Sequence, residues 1–271
     1  MPDQKKKDIS GTILTWRECG DGEVVFLLHG ISCASGVWSP VMRELSEHYR
    51  VIALDLPGYG GSETLKNSQA SVQSYADLAM AFLDSFDIRK VHLVGQSLSA
   101  LIAARIAADK LSLAESLTLS HPFLGLGSLP ESERSRIAEA RLKIFQELGP
   151  VRFAHEKGPA ILASNASDFA RVTAVSLMSE VTFEAMSKAI NVLRDGDIFM
   201  DLRKIKTPTM VVTGEFDPIA PQDYCRSIVH KSEICRLEVI SGSGHYSCLE
   251  DPEAYSALLV RFLAGQTTKN I

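Results

Sequence analysis

One stretch, residues 91–104, constrains the fold more than any other part of the chain. An apolar run ends at Gly95, Ser97 follows one polar residue later, and small or apolar residues then continue at helical spacing. This pattern predicts a strand, a sharp turn and a helix, with Ser97 at the apex. The two arms of such a turn approach closely and need small neighbours. Gly95 meets that need, but Ser99 stands where the Gly-x-Ser-x-Gly motif has its second glycine.

A serine at such an apex is suited to nucleophilic catalysis. Its hydroxyl is a weak nucleophile at neutral pH, so a catalytic serine needs an adjacent base and amide donors that hold an oxyanion. The first amides of the following helix have no intrahelical acceptor and point outward. Because a Gly-x-Ser turn also starts many ordinary helices, the assignment of Ser97 depends on partners elsewhere in the chain.

Strand and helix patterns alternate on both sides of this stretch. Residues 12–19 are predicted to form an edge strand. Further strands are predicted at 24–28, 51–54, 91–95, 113–119, 209–213 and 235–240. Helices are predicted at 74–86, 98–108, 222–230 and 252–263, with another that ends near residue 48. The alternation predicts an α/β fold, with a mostly parallel sheet that is covered by helices on both faces.

Residues 122–202 have a different character. They contain no strand pattern but carry helical patterns at 132–148, 151–163, 168–178 and 182–193. We therefore expect a helical cap, residues 122–202, inserted into a core domain formed by residues 1–121 and 203–271.

The composition limits the function classes. Hydrophobic residues make up 45% of the chain and charged residues 23%, which is typical of a soluble globular protein. The formal net charge of −5 disfavours a nucleic-acid partner. The basic run Lys5–Lys7 is interpreted as a solvated N-terminal tail. With no signal-like or membrane-spanning segment evident, we expect a cytoplasmic monomer or homodimer that acts on a small molecule without a membrane partner.

The five cysteines are odd in number and lack paired metal-ligand spacing, so free thiols are expected. Cys33 falls in a loop that is expected to lie near the serine, and its effect on activity is left open. The sequence 58–61 lacks the spacing of a dinucleotide-binding loop, and no helix pattern begins there. No cofactor and no metal are expected.

Polar residues follow several predicted strands at their carboxyl ends, which share one edge of a parallel sheet. Ser97, Asp217 and His245 stand at three of these ends. His245 would accept the proton of Ser97 and return it to the leaving group, while Asp217 would orient the imidazole. The amides of Leu98 and Ile31 would form the oxyanion hole, one from the helix start and one from the turn after the first buried strand.

Other acidic residues compete for the role of Asp217. Glu215 is expected to brace its loop, and Glu250 and Asp251 precede Pro252, a position typical of a helix cap. The strand end at Ser120-His121-Pro122, which carries the acid in some related enzymes, holds no carboxylate.

The remaining histidines have structural interpretations. His29 is expected to support the oxyanion loop. The others are predicted to lie on solvated surfaces: His48, His92, His155 and His230.

These motifs resemble those of the α/β-hydrolase superfamily, from about Ile9 to Leu263. The matching motifs are His29-Gly30 with Trp38, residues 55–62, the turn at Ser97, Gly214-Glu215-x-Asp217, and Gly244-His245 with Glu250 and Pro252. The resemblance implies an eight-stranded, mostly parallel sheet with a helical lid and no required cofactor.

Residues 148–162 and 185–209 resemble the cap of the 3-oxoadipate enol-lactonase-like and carboxylesterase branch, whose members act on lactones, enol-lactones and small carboxylic esters. Ser99 departs from the usual glycine of enol-lactonases. Some other members carry serine there, including bacterial stress-signalling and plant hormone-receptor hydrolases.

The sequence thus favours a cofactor-independent serine hydrolase of a small ester or lactone. Six apolar cap residues are expected to contact the substrate: Phe123, Leu124, Phe145, Phe153, Met178 and Met186. Two alternatives stay open. One is carbon–carbon bond hydrolysis of a vinylogous diketone, for which the cap offers Arg134, Arg136, Arg141 and Arg152. The other is a ligand receptor with slow turnover.

Overall fold

The computed structural model describes residues 2–66, 70–231 and 234–267. Its eight strands are β1 Gln4–Ile9, β2 Thr12–Cys19, β3 Val24–Leu28, β4 Arg50–Leu54, β5 Val91–Gln96, β6 Ala114–Ser120, β7 Thr209–Gly214 and β8 Cys235–Ile240. They form one sheet in the order β1-β2-β4-β3-β5-β6-β7-β8. The pairs β1–β2 and β2–β4 are antiparallel and the others are parallel. The prediction of an eight-stranded, mostly parallel sheet is confirmed.

Ten α-helices occur in the described residues. They are α1 Ser39–Leu45, α2 Val72–Asp84, α3 Leu98–Asp109, α4 Glu131–Lys157, α5 Asp168–Ser179, α6 Phe183–Asp195, α7 Ile198–Leu202, α8 Gln222–Val229, α9 Ser247–Glu250 and α10 Pro252–Thr267. Short 3₁₀ turns lie at Ser35–Trp38 and Pro159–Ile161. None of these helices combines the length and the apolar character that crossing a lipid bilayer requires.

The central strands bury both faces, which explains their uninterrupted apolar runs. In β3, Phe26 and Leu28 pack into the core beside α2 and α3. Val25 and Leu27 point to the opposite face and pack into a second core with α1 and α10. Successive side chains of a strand alternate between faces, so one short strand contributes to both cores.

The N-terminus differs from the sequence interpretation. Lys5–Lys7 are not part of a free tail but lie in β1, which pairs with β2 from Gln4 opposite Arg17 to Ile9 opposite Thr12. The prediction that residues 12–19 form the sheet edge is therefore wrong, because β1 lies outside them. Of the six residues of β1 only Ile9 is buried, so this strand has no hydrophobic alternation to detect.

His92 is also placed differently from the prediction. It is 1% exposed, because β5 is a central strand covered on both faces, and its Nδ1 lies 2.9 Å from Ser116 Oγ. The other histidines predicted to be solvated, His48, His155 and His230, are exposed.

Every regular element between β6 and β7 is helical. The long helix α4 contains a break at Gly149, whose φ is +68°, followed by Pro150. A left-handed residue and a proline both interrupt helical geometry, so α4 turns where the sequence separates two predicted helices. Both α5 and α6 pack against α4. The division into a core and a 122–202 cap stays a prediction, and residues 1, 67–69, 232–233 and 268–271 of that core lie outside the described residues.

Candidate active site

Three polar side chains meet at one edge of the sheet. Ser97 directly follows β5, Asp217 comes three residues after β7, and His245 follows β8 in a turn that precedes α9. Because β5, β6, β7 and β8 run parallel, their carboxyl ends lie on the same side of the molecule. The topology thus brings Ser97 to two residues that lie more than a hundred positions further along the chain.

Ser97 occupies a strained backbone conformation, with φ +53° and ψ −111°. Non-glycine residues seldom adopt positive φ, and such strain is common at functional sites. The turn is tight enough that a Cβ on Gly95 would lie 2.2 Å from the backbone oxygen of Ser99. Glycine is therefore required at position 95, as the sequence predicts.

No such requirement applies to Ser99. Its hydroxyl donates a hydrogen bond to the backbone oxygen of His29, across the gap between α3 and the end of β3. Ser99 is fully buried. The serine that departs from the usual motif therefore fastens the turn to the neighbouring strand.

Ser97, His245 and Asp217 form a continuous hydrogen-bonded line. His245 Nε2 lies 3.1 Å from Ser97 Oγ, and His245 Nδ1 lies 3.0 and 2.9 Å from the two carboxylate oxygens of Asp217. All three residues are at least nine-tenths buried. With Nδ1–H directed at the carboxylate, Nε2 is left as the acceptor for the serine hydroxyl. This is the geometry in which a serine is activated by a histidine base.

The surroundings of Asp217 keep its carboxylate ionised. Burial alone raises the pKa of Asp217, but the neighbouring His245 and His121 outweigh it and hold the pKa well below its usual range. The amides of Ile219 and Ala220 also donate to Oδ1, at 2.8 and 2.9 Å. The carboxylate is therefore fixed in position as well as in charge.

His121 is a site residue that the sequence interpretation missed. Its Nδ1 lies 2.7 Å from Asp217 Oδ2, so Asp217 contacts two imidazoles. His121 is 1% exposed and has φ +47°. Burial lowers the pKa of His121, although Asp217 acts in the opposite direction. The sequence does place His121 directly after β6, at the sheet edge that also carries Ser97, Asp217 and His245.

The loop after β3 approaches Ser97 closely. A Cβ on Gly30 would lie 2.2 Å from Gln96 Oε1 and 3.2 Å from Ser97 Cβ, so any other residue there would require the buried Gln96 side chain to move. His29 Nδ1 lies 2.8 Å from the backbone oxygen of Gly30, and His29 Nε2 accepts from the amide of Leu56 at 3.0 Å. His29 thus supports this loop, in agreement with the sequence interpretation.

Glu250 and Asp251 have different roles. Asp251 Oδ1 accepts from the amide of Ala254 at 3.0 Å, as a cap of α10 does. Glu250 is not a cap of that helix. Its carboxylate accepts from three backbone amides, those of Ala163 at 2.7 Å and of Gly244 and Tyr246 at 3.0 Å. Glu250 therefore fixes the two residues that flank His245.

Glu215 braces its own loop, as expected, because its carboxylate accepts from the amide of Gly242 at 2.8 Å. The ring nitrogens of His245 contact Asp217 and Ser97 instead. The geometry thus selects Asp217 over Glu215 as the partner of the imidazole.

A cavity of about 270 Å³ contains Ser97 and His245. This volume lies near the lower end for small-molecule sites. Four of the six predicted cap residues line it: Phe123, Phe153, Met178 and Met186. Leu124 and Phe145 do not. Phe145 is 1% exposed and packs edge-on against Phe153 at 5.0 Å, so it lies behind the wall.

His121, Asp217 and His245 also place three potential metal-ligand atoms within 4.8 Å of one another. Each histidine turns Nδ1 toward the carboxylate at hydrogen-bond distance. A metal ion would need those atoms at about 2.0–2.2 Å and without their protons. The distances found here fit a hydrogen-bond network.

Cys33 lies beside the loop that follows β3. It is buried, with Sγ 3.6 Å from the backbone oxygen of Gly30, and burial raises the pKa of its thiol to about 12. A thiol with a raised pKa is a poor nucleophile. All five cysteines are free thiols, as expected.

The chain is also similar to known proteins. Residues 24–258 match the family model described as "Alpha/beta hydrolase family". The chain is 26% identical over 251 residues to "Putative carbamate hydrolase RutD" of Stutzerimonas stutzeri, covering 91% of this chain and 93% of the relative.

Two solved structures have the same fold. An esterase from Thermogutta terrifontis is 22% identical, with a TM-score of 0.85, and the match covers 97% of this chain and 99% of that one. The enol-lactonase from Burkholderia xenovorans LB400 is 20% identical, with a TM-score of 0.80 and coverage of 96% and 100%. The chain belongs to the alpha/beta hydrolase family.

Proposed function

We propose that this protein is a cofactor-independent serine hydrolase that cleaves a small carboxylic ester or lactone through an acyl-enzyme. The observation that carries the proposal is the line Ser97 Oγ–His245 Nε2–His245 Nδ1–Asp217, which opens into a cavity. Carbamates, esters and enol-lactones, the substrates in the names of the relatives above, all present a carbonyl carbon to a nucleophile. A serine–histidine–carboxylate line suits that attack.

In this mechanism Ser97 Oγ attacks the carbonyl carbon while His245 Nε2 takes the hydroxyl proton. The tetrahedral oxyanion accepts hydrogen bonds from the amides of Ile31 and Leu98. When the intermediate collapses, His245 gives its proton to the leaving oxygen and an acyl-Ser97 ester is left. Water then attacks this ester, with His245 as the base, and the acid and free serine are released.

The substrate of this proposal is small and partly apolar. Phe123, Phe153, Met178 and Met186 would contact its apolar part, and helices α4–α6 of the proposed 122–202 cap would cover it. Leu124 and Phe145 do not line the cavity and would affect the substrate only through the residues that do. We further propose that the enzyme is a cytoplasmic monomer or homodimer, which fractionation and light scattering would test.

Carbon–carbon bond hydrolysis is the second candidate. This reaction needs a polar group in the proposed cap that polarises a second carbonyl of the substrate. Of the four cap arginines named above, Arg141 lines the cavity. Turnover of a vinylogous diketone faster than any ester or lactone would favour this candidate over the first.

Rapid-mixing kinetics with a short-chain nitrophenyl ester tests the leading proposal. We expect a burst near one equivalent, then steady turnover, with no burst in Ser97→Ala. Asp217→Asn should lower turnover by about ten-thousand-fold, because it leaves the wrong imidazole tautomer. Ser32→Ala, which removes another hydroxyl of the same cavity, is the control and should keep the burst.

Other outcomes have definite meanings. A burst without turnover would favour the receptor alternative. A reaction that survives in Ser97→Ala, or none with esters, lactones or diketones, would contradict the assignment of Ser97.

A further inference from the structure

The two outer strands of the sheet, β1 and β8, have different edges. Within the described ranges, no strand pairs with the outer side of either one. An unpaired strand edge presents backbone N–H and C=O groups to which another strand can bind. Five of the six residues of β1 are exposed, and three of these are lysines. If two copies of β1 paired in antiparallel fashion about Lys6, Lys5 would face Lys7 of the second copy. Like charges therefore protect this edge.

The edge at β8 carries opposite charges instead. Arg236 and Glu238 lie two residues apart, so their side chains are on the same face of the sheet. Their charged groups approach to 3.7 Å, and their side chains are 50% and 39% exposed. Val239, one residue later, is 38% exposed. This edge therefore has no lysine and keeps one charge of each sign accessible to a second strand.

The backbone groups of β8 alternate between β7 and the open side. The carbonyl oxygens of Ile234 and Ile240 accept hydrogen bonds from the first residue of β7 and from the residue that follows β7, at 3.1 and 2.9 Å. The register between the two strands is continuous. Because the N–H and C=O groups of successive residues point to opposite sides, those of Arg236 and Glu238 also point toward β7. Those of Leu237, between them, point outward.

A two-fold axis at Leu237 satisfies both the backbone and the charges. Two residues that face each other in antiparallel pairing with outward groups exchange both hydrogen bonds, with Cα atoms about 5.5 Å apart. Leu237 would form this pair with its own copy. Arg236 would then face Glu238 of the second copy, and the symmetry makes this pair twice, with Cα atoms about 4.5 Å apart. An axis at Val239, the next residue with outward groups, would lose both charge pairs.

We propose that two copies of this protein associate through β8, in antiparallel pairing centred on Leu237, so that their sheets join into one continuous sheet. The interface is isologous, because each copy contributes the same strand. The occupant of this edge is a second copy, since Arg236 and Glu238 are complementary to themselves under a two-fold rotation. The triad takes no part in the interface, so the inference does not depend on the proposed function.

Charge exchange tests the interface and its register. Sedimentation equilibrium over a range of protein concentrations measures the dissociation constant Kd of the dimer. Glu238→Arg would place like charges opposite each other at two points of the dimer, so Kd should rise by about 10- to 100-fold. Arg236→Glu should have the same effect. The double variant exchanges the two charges and should return Kd to within about threefold of the wild-type value.

Lys6→Glu is the matched control, because Lys6 is exposed on the opposite edge of the sheet and the substitution makes the same charge reversal as Arg236→Glu. It should leave Kd unchanged. Three results would overturn the proposal: a chain that is monomeric at every concentration, a dimer whose Kd ignores the exchanges, and an equal response to Lys6→Glu. The first of these would leave the β8 edge to a strand of another protein.

A cross-link locates the axis independently of the charges. In Leu237→Cys, the two new thiols would lie on Cα atoms about 5.5 Å apart, within the range of a disulfide. Oxidised glutathione should then give a covalent dimer that mass spectrometry assigns to residue 237. In Glu238→Cys, the two copies of residue 238 would lie about 8 Å apart and should not cross-link. A cross-link at 238 but not at 237, or none at either, would overturn the proposal even if the charge variants fail to fold.

Discussion

At the scale of a single residue, Ser99 explains how a sharp turn works without its second glycine. The close approach occurs at Gly95, where a Cβ would meet α3 at 2.2 Å, while Ser99 has room for its hydroxymethyl group. Sequence comparison alone treats both positions as sites for small residues. In the structure, Gly95 is a position that needs glycine, whereas at Ser99 a hydroxyl adds a hydrogen bond.

Ser99→Ala should destabilise the protein by about 1–3 kcal/mol, because the backbone oxygen of His29 loses a buried donor. Ser99→Gly should cost about 1 kcal/mol more, since glycine is unfavourable inside a helix. Urea denaturation measures both. Ser97→Ala, in the same turn, is the control and should change stability little. A Ser99→Gly protein as stable as the wild type would contradict the bracing role of the hydroxyl.

At the scale of elements, the sheet edge could be predicted because each central strand is a buried apolar run that ends in a polar residue. Ser97, Asp217 and His245 were recognised in this way. His121 stands at the same edge, but its role depends on a positive φ that no residue pattern encodes. β1 was missed for another reason: its exposed lysines are held by pairing with β2, which leaves no hydrophobic signal.

Element α9 ends at Glu250, whose carboxylate connects the turn at His245 to the backbone of Ala163, in the loop before α5. Glu250→Gln should destabilise the protein by about 2–4 kcal/mol, because the three amides it binds lose a charged acceptor. Asp251→Asn removes the same charge one residue later but keeps a good cap. Denaturation of the two variants side by side checks this. Losses that agree within about 0.5 kcal/mol would mean that charge alone, not the amide contacts, matters.

At the scale of the whole molecule, three buried histidines couple folding to pH. Burial lowers the pKa of His29, His92 and His121, and nearby carboxylates only partly oppose it. His29 Nε2 must also stay unprotonated, because it accepts from the amide of Leu56. The unfolded chain therefore binds protons that the folded chain does not, once the pH falls below about 6.5, the ordinary pKa of histidine.

The sign of the pH dependence follows from this difference. Above about pH 6.5 these histidines are neutral in both states and stability is at its full value. As the pH falls from there toward the lowered folded pKa values, each should remove up to about 1.4 kcal/mol per pH unit. Asp217 acts in the same direction, but only below its unfolded pKa of about 3.9. Urea denaturation at pH 8, 6 and 5 measures the slope. His92→Gln should reduce this slope, whereas His48→Gln, at an exposed site, should leave it unchanged. A free energy of unfolding that is constant from pH 8 to 5 would mean that the buried histidines become protonated inside the folded protein at no cost.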